Sequence, residues 1–182
     1  MNFSKAIAVG RISSSEALEI FDNLNPTETE FMMGTWKGAG FHTGHPMDGL
    51  LEAYHWYGKH FFDPENVHPL VFTSFSGRKM IINPIFILPI TGLMGRGNLP
   101  KSKSIARLLS LGIPLFSTAR SRARLRMTDY RGKSSATMIY DHLPINDVFR
   151  KVDKDTVLGV MDLKNVEQPF FFVLRRTCWR VR

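Results

Sequence analysis

Five of the six histidines, His42, His45, His55, His60 and His68, fall within one stretch of 27 residues. His42-x-x-His45 has the spacing of two metal ligands, but no HExxH pattern and no cysteine partner fixes a third, so no metal is expected. His45 and Asp48 could instead form a general-base pair, with Asp141 as a further acid-base candidate. No Gly-x-Ser-x-Gly elbow accompanies them. The plainer role for His45-Pro46-x-Asp48 is the start of a helix, with Asp48 at the positive end of its dipole. Cys178 is the sole cysteine, equally suited to be a nucleophile or a small apolar filler, and it allows no intrachain disulfide. There is no Walker loop, and Gly34-x-x-x-Gly38 lacks the strand-to-helix setting of a dinucleotide loop, so no nucleotide cofactor is expected either. Asp141, Asp147 and Asp162 fall near strand ends or turns, where carboxylates commonly accept from backbone amides; one pointing into a barrel would pair with an arginine or orient a ligand head group.

The second chemical signal is charge. The 182-residue chain carries a formal charge of +8, and twelve of its 24 basic residues lie between Arg78 and Lys133 against one acid, Asp129. Apolar residues such as Leu93, Ile105, Leu108 and Phe116 are interleaved with them. Cationic and apolar residues together suit an anionic lipid surface, and the bland alternative is a solvated basic loop covering the end of the core. Arg120, Arg122, Arg124 and Arg126 alternate along one strand, which would suit a nonspecific nucleic-acid binder. No DNA- or RNA-binding motif accompanies them, so nucleic acid is disfavoured as a partner. In a barrel the same alternation turns the arginines to solvent while Ala123, Leu125 and Met127 face inward.

The elements that must position these residues are mostly strands. Composition is ordinary for a globular domain, with 43% hydrophobic and 22% charged residues. Ser13-Ser-Ser-Glu16 has capping-box spacing, and Ala17, Ile20, Phe21 and Leu24 follow at helical period until Pro26. The region Glu30–Phe41 reads as a strand. Asp48–Phe62 reads as a helix, because Leu50, Tyr54, Tyr57 and Phe61 share one face; Trp56 and Lys59 would then lie together, the lysine against the indole. Val67–Phe75 and Lys79–Leu88 read as a hairpin turned by Ser76-Gly77, with Pro69 marking an edge or a bend. Arg120–Thr128, Lys133–Asp141, Val148–Val152, Thr156–Asp162 and Phe170–Trp179 read as further strands, although Ile145, Val148, Phe149 and Val152 also fit a helix. Short strands in regular succession favour an antiparallel barrel or sandwich. The longest uncharged stretch, Met80–Gly95, holds two prolines and falls short of the roughly 20 apolar residues that span a bilayer. No export signal is read at Met1–Gly10, and with a lone cysteine this places the protein in the cytoplasm.

The most distinctive segment is Gly34-Thr-Trp-Lys-Gly38, followed by Gly40. In a strand of period two these glycines flank Trp36 on its own face, leaving the neighbouring space open to another element and allowing strong bending or a bulge. Together with Thr43-Gly-His-Pro-Met-Asp-Gly-Leu-Leu51, Trp56-Tyr-Gly-Lys59 and Val67-His-Pro-Leu70, this segment resembles the bacterial GXWXG protein family. The second half resembles that family's usual companion, a domain of unknown function, through Ala123-Arg-Leu-Arg126, Met138-Ile-Tyr-Asp-His-Leu-Pro-Ile145, Asp147-Val-Phe-Arg150, Asp155-Thr-Val-Leu-Gly-Val-Met-Asp162 and Phe170-Phe-Phe-Val-Leu-Arg-Arg176. A weaker similarity is to calycins of the lipocalin type. It implies a short helix before the Gly-x-Trp strand and a basic residue near the last strand, here Arg175 or Arg176, covering Trp36.

The expected fold is therefore mainly β: an antiparallel, calycin-like barrel with an N-terminal helix and one helix inserted after the Gly-x-Trp strand. Residues 13–89 would form the first half, 90–118 an apolar-basic loop, and 119–182 the half that completes the same barrel. The expected function is binding of a small hydrophobic or amphipathic, anionic ligand, a fatty acid or phospholipid, inside the barrel. Its walls would include Trp36, Tyr54, Trp56, Met127, Met138 and Phe172, with Arg124, Arg126 or Arg175 at the head group. Peripheral contact with an anionic membrane would fall to residues 90–118. The alternative is an enzyme acting on such a ligand through His45, Asp48 and Asp141.

Overall fold

A computed structural model describes residues 1–74, 76–87 and 113–178. Two helices come first, α1 (Phe3–Val9) and α2 (Ser14–Asn23). The capping box at the start of α2 forms as its sequence predicts: the Glu16 amide donates to the Ser13 hydroxyl, and the Ser13 amide donates to the Glu16 carboxylate. After a two-residue strand β1 (Asn25–Pro26) and a 3-10 turn at Glu30–Met32 comes β2 (Gly34–Gly40), which carries Trp36. A single-turn helix α3 (Leu50–Ala53) separates it from β3 (Trp56–Phe61), β4 (Val67–Thr73) and β5 (Lys79–Ile81). The second half is β6 (Ala123–Tyr130), β7 (Lys133–Tyr140), β8 (Ile145–Lys151), β9 (Thr156–Leu163) and β10 (Phe170–Thr177). The ambiguous segment around Val148 is thus a strand.

Neighbouring strands are antiparallel and run β2-β3-β4-β6-β7-β8-β9-β10, with β10 pairing back to β2. Eight strands close a barrel, and closure removes the unpaired edges of an open sheet. The far side of β4 is shared, with Val67 meeting Ala123 of β6 and Val71–Thr73 meeting β5. The β6–β7 hairpin turns through Arg131 and Gly132, both at positive φ (50° and 77°), as a tight two-residue hairpin requires.

One expectation fails here. The helix read over Asp48–Phe62 shrinks to α3, and its second half is β3. The apolar residues that mimic a helical face belong to a strand with a bulge: Trp56 pairs with Phe72 but Gly58 pairs with Val71, one step along instead of two. Gly58 sits at φ 146°, and a Cβ there would lie 2.0 Å from the Trp36 carbonyl oxygen. Pairing to β2 and β4 outweighs the local helical pattern. The expected helix after the tryptophan strand survives as one turn.

Where α1 and α2 lie over it, the wall is buried on both sides. Inside lie Trp36, Phe61, Leu125, Met138, Phe149 and Phe172, among others. Outside, α1 and α2 bring Ala6, Ala17, Ile20 and Phe21 onto Val148, Leu158, Val160, Phe171 and Val173. Strands covered on both faces lose their polar alternation, which explains why β9 and the first five residues of β10 read as nearly continuous apolar runs.

Arg176 closes one end. Its guanidinium lies 4.3 Å from the Trp36 ring centroid and 5.1 Å from that of Phe31, and it donates to the carbonyls of Met33 (2.8 Å) and Phe31 (2.7 Å). The Trp36 indole donates to the Met32 carbonyl at 2.7 Å. Of the two arginines considered from sequence, Arg176 therefore covers the tryptophan, while Arg175 faces outward. Replacing Arg176 with Met removes the stacking and both carbonyl bonds and should destabilise the protein by about 2–4 kcal/mol in urea unfolding. Lys at this position should restore only part of that, since an ammonium cannot stack and fork at once.

Candidate functional site

A buried ion pair crosses the barrel. Lys59 Nζ lies 2.7 Å from Asp147 Oδ2, with the two side chains 3% and 2% exposed. Lys59 belongs to β3 and Asp147 to β8, four places apart in a ring of eight strands, so the pair bridges opposite walls. Lys59 also donates to the Pro69 carbonyl at 3.3 Å. Proline has no amide to give the sheet, but its carbonyl still accepts.

Aromatic rings surround the ammonium: Phe172, Trp56 and Tyr140 have centroids 5.0, 5.6 and 5.7 Å from Nζ. Glycines seat two of them. A Cβ on Gly38 would fall 2.0 Å from the Trp56 ring, and one on Gly159 would fall 2.4 Å from the Phe172 ring. The second glycine of the Gly-x-Trp-x-Gly segment thus makes room for Trp56, the other element that the open space beside Trp36 called for.

Two polar atoms in this interior are unmatched. Among the described residues, neither Asp147 Oδ1 nor Trp56 Nε1 has a hydrogen-bond partner, though both are buried. Unmatched buried polar atoms cost about 1–3 kcal/mol each. Burial raises the Asp147 pKa, and Lys59 opposes the rise. Burial and the Asp147 charge push the Tyr140 phenol well above its ordinary value, so it stays neutral and can donate.

The residues singled out from sequence scatter around this centre. Trp56, Met138 and Phe172 face it, Met138 directly opposite Asp147 in the β7–β8 register. Tyr54 is half-buried against the same core. Trp36 faces inward but lies beneath Arg176. Arg124 and Arg126 lie on the outer face, as the alternation predicts, and Arg126 pairs with Glu65 at 2.6 Å. The third residue expected inside β6, Met127, is 38% exposed, because β6 runs on past the start of β4 and lacks a strand beside it there. Arg175 lies outside, in a surface cleft of ≈ 210 Å³ with Ile7, Ile12, Phe41, His42 and Val173.

His45, Asp48 and Asp141 do not converge. The His45 ring packs against Phe170, and its Nδ1 accepts from the Met47 amide at 3.1 Å. Asp48 Oδ2 accepts from the amides of Thr43 and Gly44, so it ties the preceding loop and does not cap α3, whose N-cap is Gly49. Asp141 is exposed in the turn after β7, and Cys178 is exposed. Among the described residues no three His, Cys, Asp or Glu side chains group closely enough to hold a metal. His60 and His68 face each other on β3 and β4 with rings stacked at 6.1 Å, and Thr35 Oγ1 lies 2.7 Å from His60 Nδ1. No helix among the described residues is long and apolar enough to cross a membrane. Most of the loop expected at 90–118, with its amphipathic stretch, lies outside the described residues.

Lys59 and Tyr140 were missed as site residues. Counting by twos from Trp56 reaches Gly58 and His60, and only the bulge brings Lys59 onto the inner face. For Asp147 the signal was present: Ile145-x-Asp147-x-Phe149 places the carboxylate between two inward apolar residues.

Fold and interior together define a small closed antiparallel barrel with a charged pair at its centre. The description "GXWXG protein" matches residues 19–77, and "Domain of unknown function (DUF4334)" matches residues 121–176. A solved structure titled "Crystal structure of protein from Thermomonospora curvata" is 32% identical, covers 96% of this chain and 95% of that one, and superposes with a TM-score of 0.70. Among curated proteins none matches. The chain belongs to the GXWXG family and carries that family's C-terminal domain of unknown function.

Two outcomes follow from the buried groups. Lys59→Met alone strands the Asp147 carboxylate and should cost about 3–5 kcal/mol at pH 8. The loss should be smaller near pH 5, where the stranded acid takes a proton, and Lys59→Met with Asp147→Leu should recover most of it; chemical denaturation of the three proteins measures this. His60 and His68 have pKa values lowered by burial, with the His68 charge adding to the effect on His60. The unfolded chain, with histidine near about 6.5, then binds more protons than the folded one. Stability should therefore be full above that pH and decline as pH falls through the lowered values, and His68→Gln should flatten the decline.

Proposed function

We propose that the barrel binds a small amphipathic molecule inside, its apolar body against Met138, Met161, Phe170 and Phe172 and its polar end at Lys59 and Asp147. The observation that carries this reading is the pair of unmatched polar atoms, Asp147 Oδ1 and Trp56 Nε1, beside an ion pair in a largely apolar interior. A ligand with one polar end satisfies these atoms and buries its chain in the same step. Eight-stranded barrels are of a size to hold one small ligand. The fatty acid or phospholipid expected from sequence shares this outline, but the arginines expected at its head group lie outside, and the one cation inside among the described residues, Lys59, is already paired with Asp147.

A second reading rests on Asp147. A carboxylate with a raised pKa and one free oxygen beside a neutral tyrosine is suited to proton transfer. An enzyme acting on the same ligand would therefore use Asp147 and Tyr140 in place of His45, Asp48 and Asp141.

Native mass spectrometry of protein purified from its host, followed by denaturing extraction, tests the binding reading. One small molecule per chain should be retained. Met138→Trp, which fills the interior, should release it while leaving the far-UV circular dichroism unchanged. Full retention in that variant, or an empty wild type that no amphiphile stabilises thermally, would overturn the reading.

A further inference from the structure

We infer that the ligand's polar end is uncharged and carries a hydroxyl, which donates to Asp147 Oδ1 and accepts from Trp56 Nε1. This rests on the binding reading above and narrows it from amphiphiles in general to alcohols.

The argument is one of charge balance. Lys59 and Asp147 neutralise each other at 2.7 Å, and both side chains are almost wholly buried. A carboxylate or phosphate entering this interior would place a second anion beside one cation, and an ammonium would place a second cation beside one anion. Either excess charge is strongly disfavoured at low dielectric unless a proton is gained or lost. A neutral group adds no charge.

The unmatched atoms then set the chemistry of that group. Asp147 Oδ1 can only accept, and Trp56 Nε1 can only donate. A hydroxyl carries both functions in one group, having one proton to give and lone pairs to receive. An ether or ester would leave the carboxylate oxygen unmatched, and a primary ammonium would leave the indole unmatched. The aromatic rings seated on Gly38 and Gly159 hold the donor in place, because Trp56 cannot retreat through β2 without vacating the space that Gly38 gives it.

Three probes with the same tail and different head charges test this at pH 7.5: 1-octanol, octanoate and octylammonium, titrated calorimetrically into the wild-type protein. 1-Octanol should bind at least 10-fold more tightly than either ion. Asp147→Asn leaves Lys59 without its counter-charge and should reverse the order, so that octanoate binds most tightly. Trp56→Phe, which keeps a ring over Gly38 and removes the donor, should weaken 1-octanol several-fold. Tighter binding of octanoate or octylammonium by the wild type would overturn the hydroxyl assignment while leaving the binding reading intact. Failure of all three to bind would overturn both. The wild-type comparison stands without the variants should either fail to fold.

Discussion

Lys59 and Asp147 face one another across the inside of a closed barrel, and that placement constrains nearly everything around them. A charge so far from water survives only with a partner at contact distance, so β3 and β8 must hold their registers closely enough to keep a 2.7 Å separation across the lumen. The bulge in β3 turns the lysine inward. Pro69 offers it a carbonyl, and Phe172, Trp56 and Tyr140 surround the ammonium with ring faces and edges. Glycines in β2 and β9 leave the space those rings occupy. The Gly-x-Trp-x-Gly segment thus serves both the closed end and the centre of the barrel: Trp36 lies under Arg176 at that end, and Gly38 receives Trp56 beside the ion pair.

A sheet covered on both faces needs two cores, and this chain supplies them differently. The interior is built by the strands themselves. The exterior core depends on α1 and α2, which lie over the strands carrying Val148, Leu158, Phe171 and Val173. Residues of β6 past Leu125 lack a strand on one side, which is where Met127 comes to the surface. The arginines of β6 stay outside throughout, so the strong positive charge of this region is a property of the surface and the interior remains neutral.

Much of the fold could be read from residue order. The capping box at Ser13 and Glu16, the glycine-flanked tryptophan and the succession of short strands all act locally, and local patterns survive folding. What could not be read depends on partners far along the chain. β3 has a helical apolar spacing that its pairing to β2 and β4 overrides, and the bulge that exposes Lys59 to the interior exists only because β4 is beside it. The same limit applied to the site. Trp56 was legible only by its size, on a segment whose helical spacing hides a bulged strand. Met138 and Phe172 were legible as wall residues because each is large and apolar on a regular strand. The ion pair was not, because its two halves lie far apart in sequence and one of them is out of phase with its own strand.

The seal made by Arg176 reaches back 143 residues to the Met33 carbonyl, and β2 finds one of its two neighbours only in β10. During synthesis the first five strands therefore leave the ribosome with an open edge at β2 and a lysine whose counter-ion has not yet been made. Nascent chain of this kind gains little from folding early, and contacts of such long range are slow to form. The barrel is accordingly a protein whose first half completes its sheet and its ion pair only once the second half has been made.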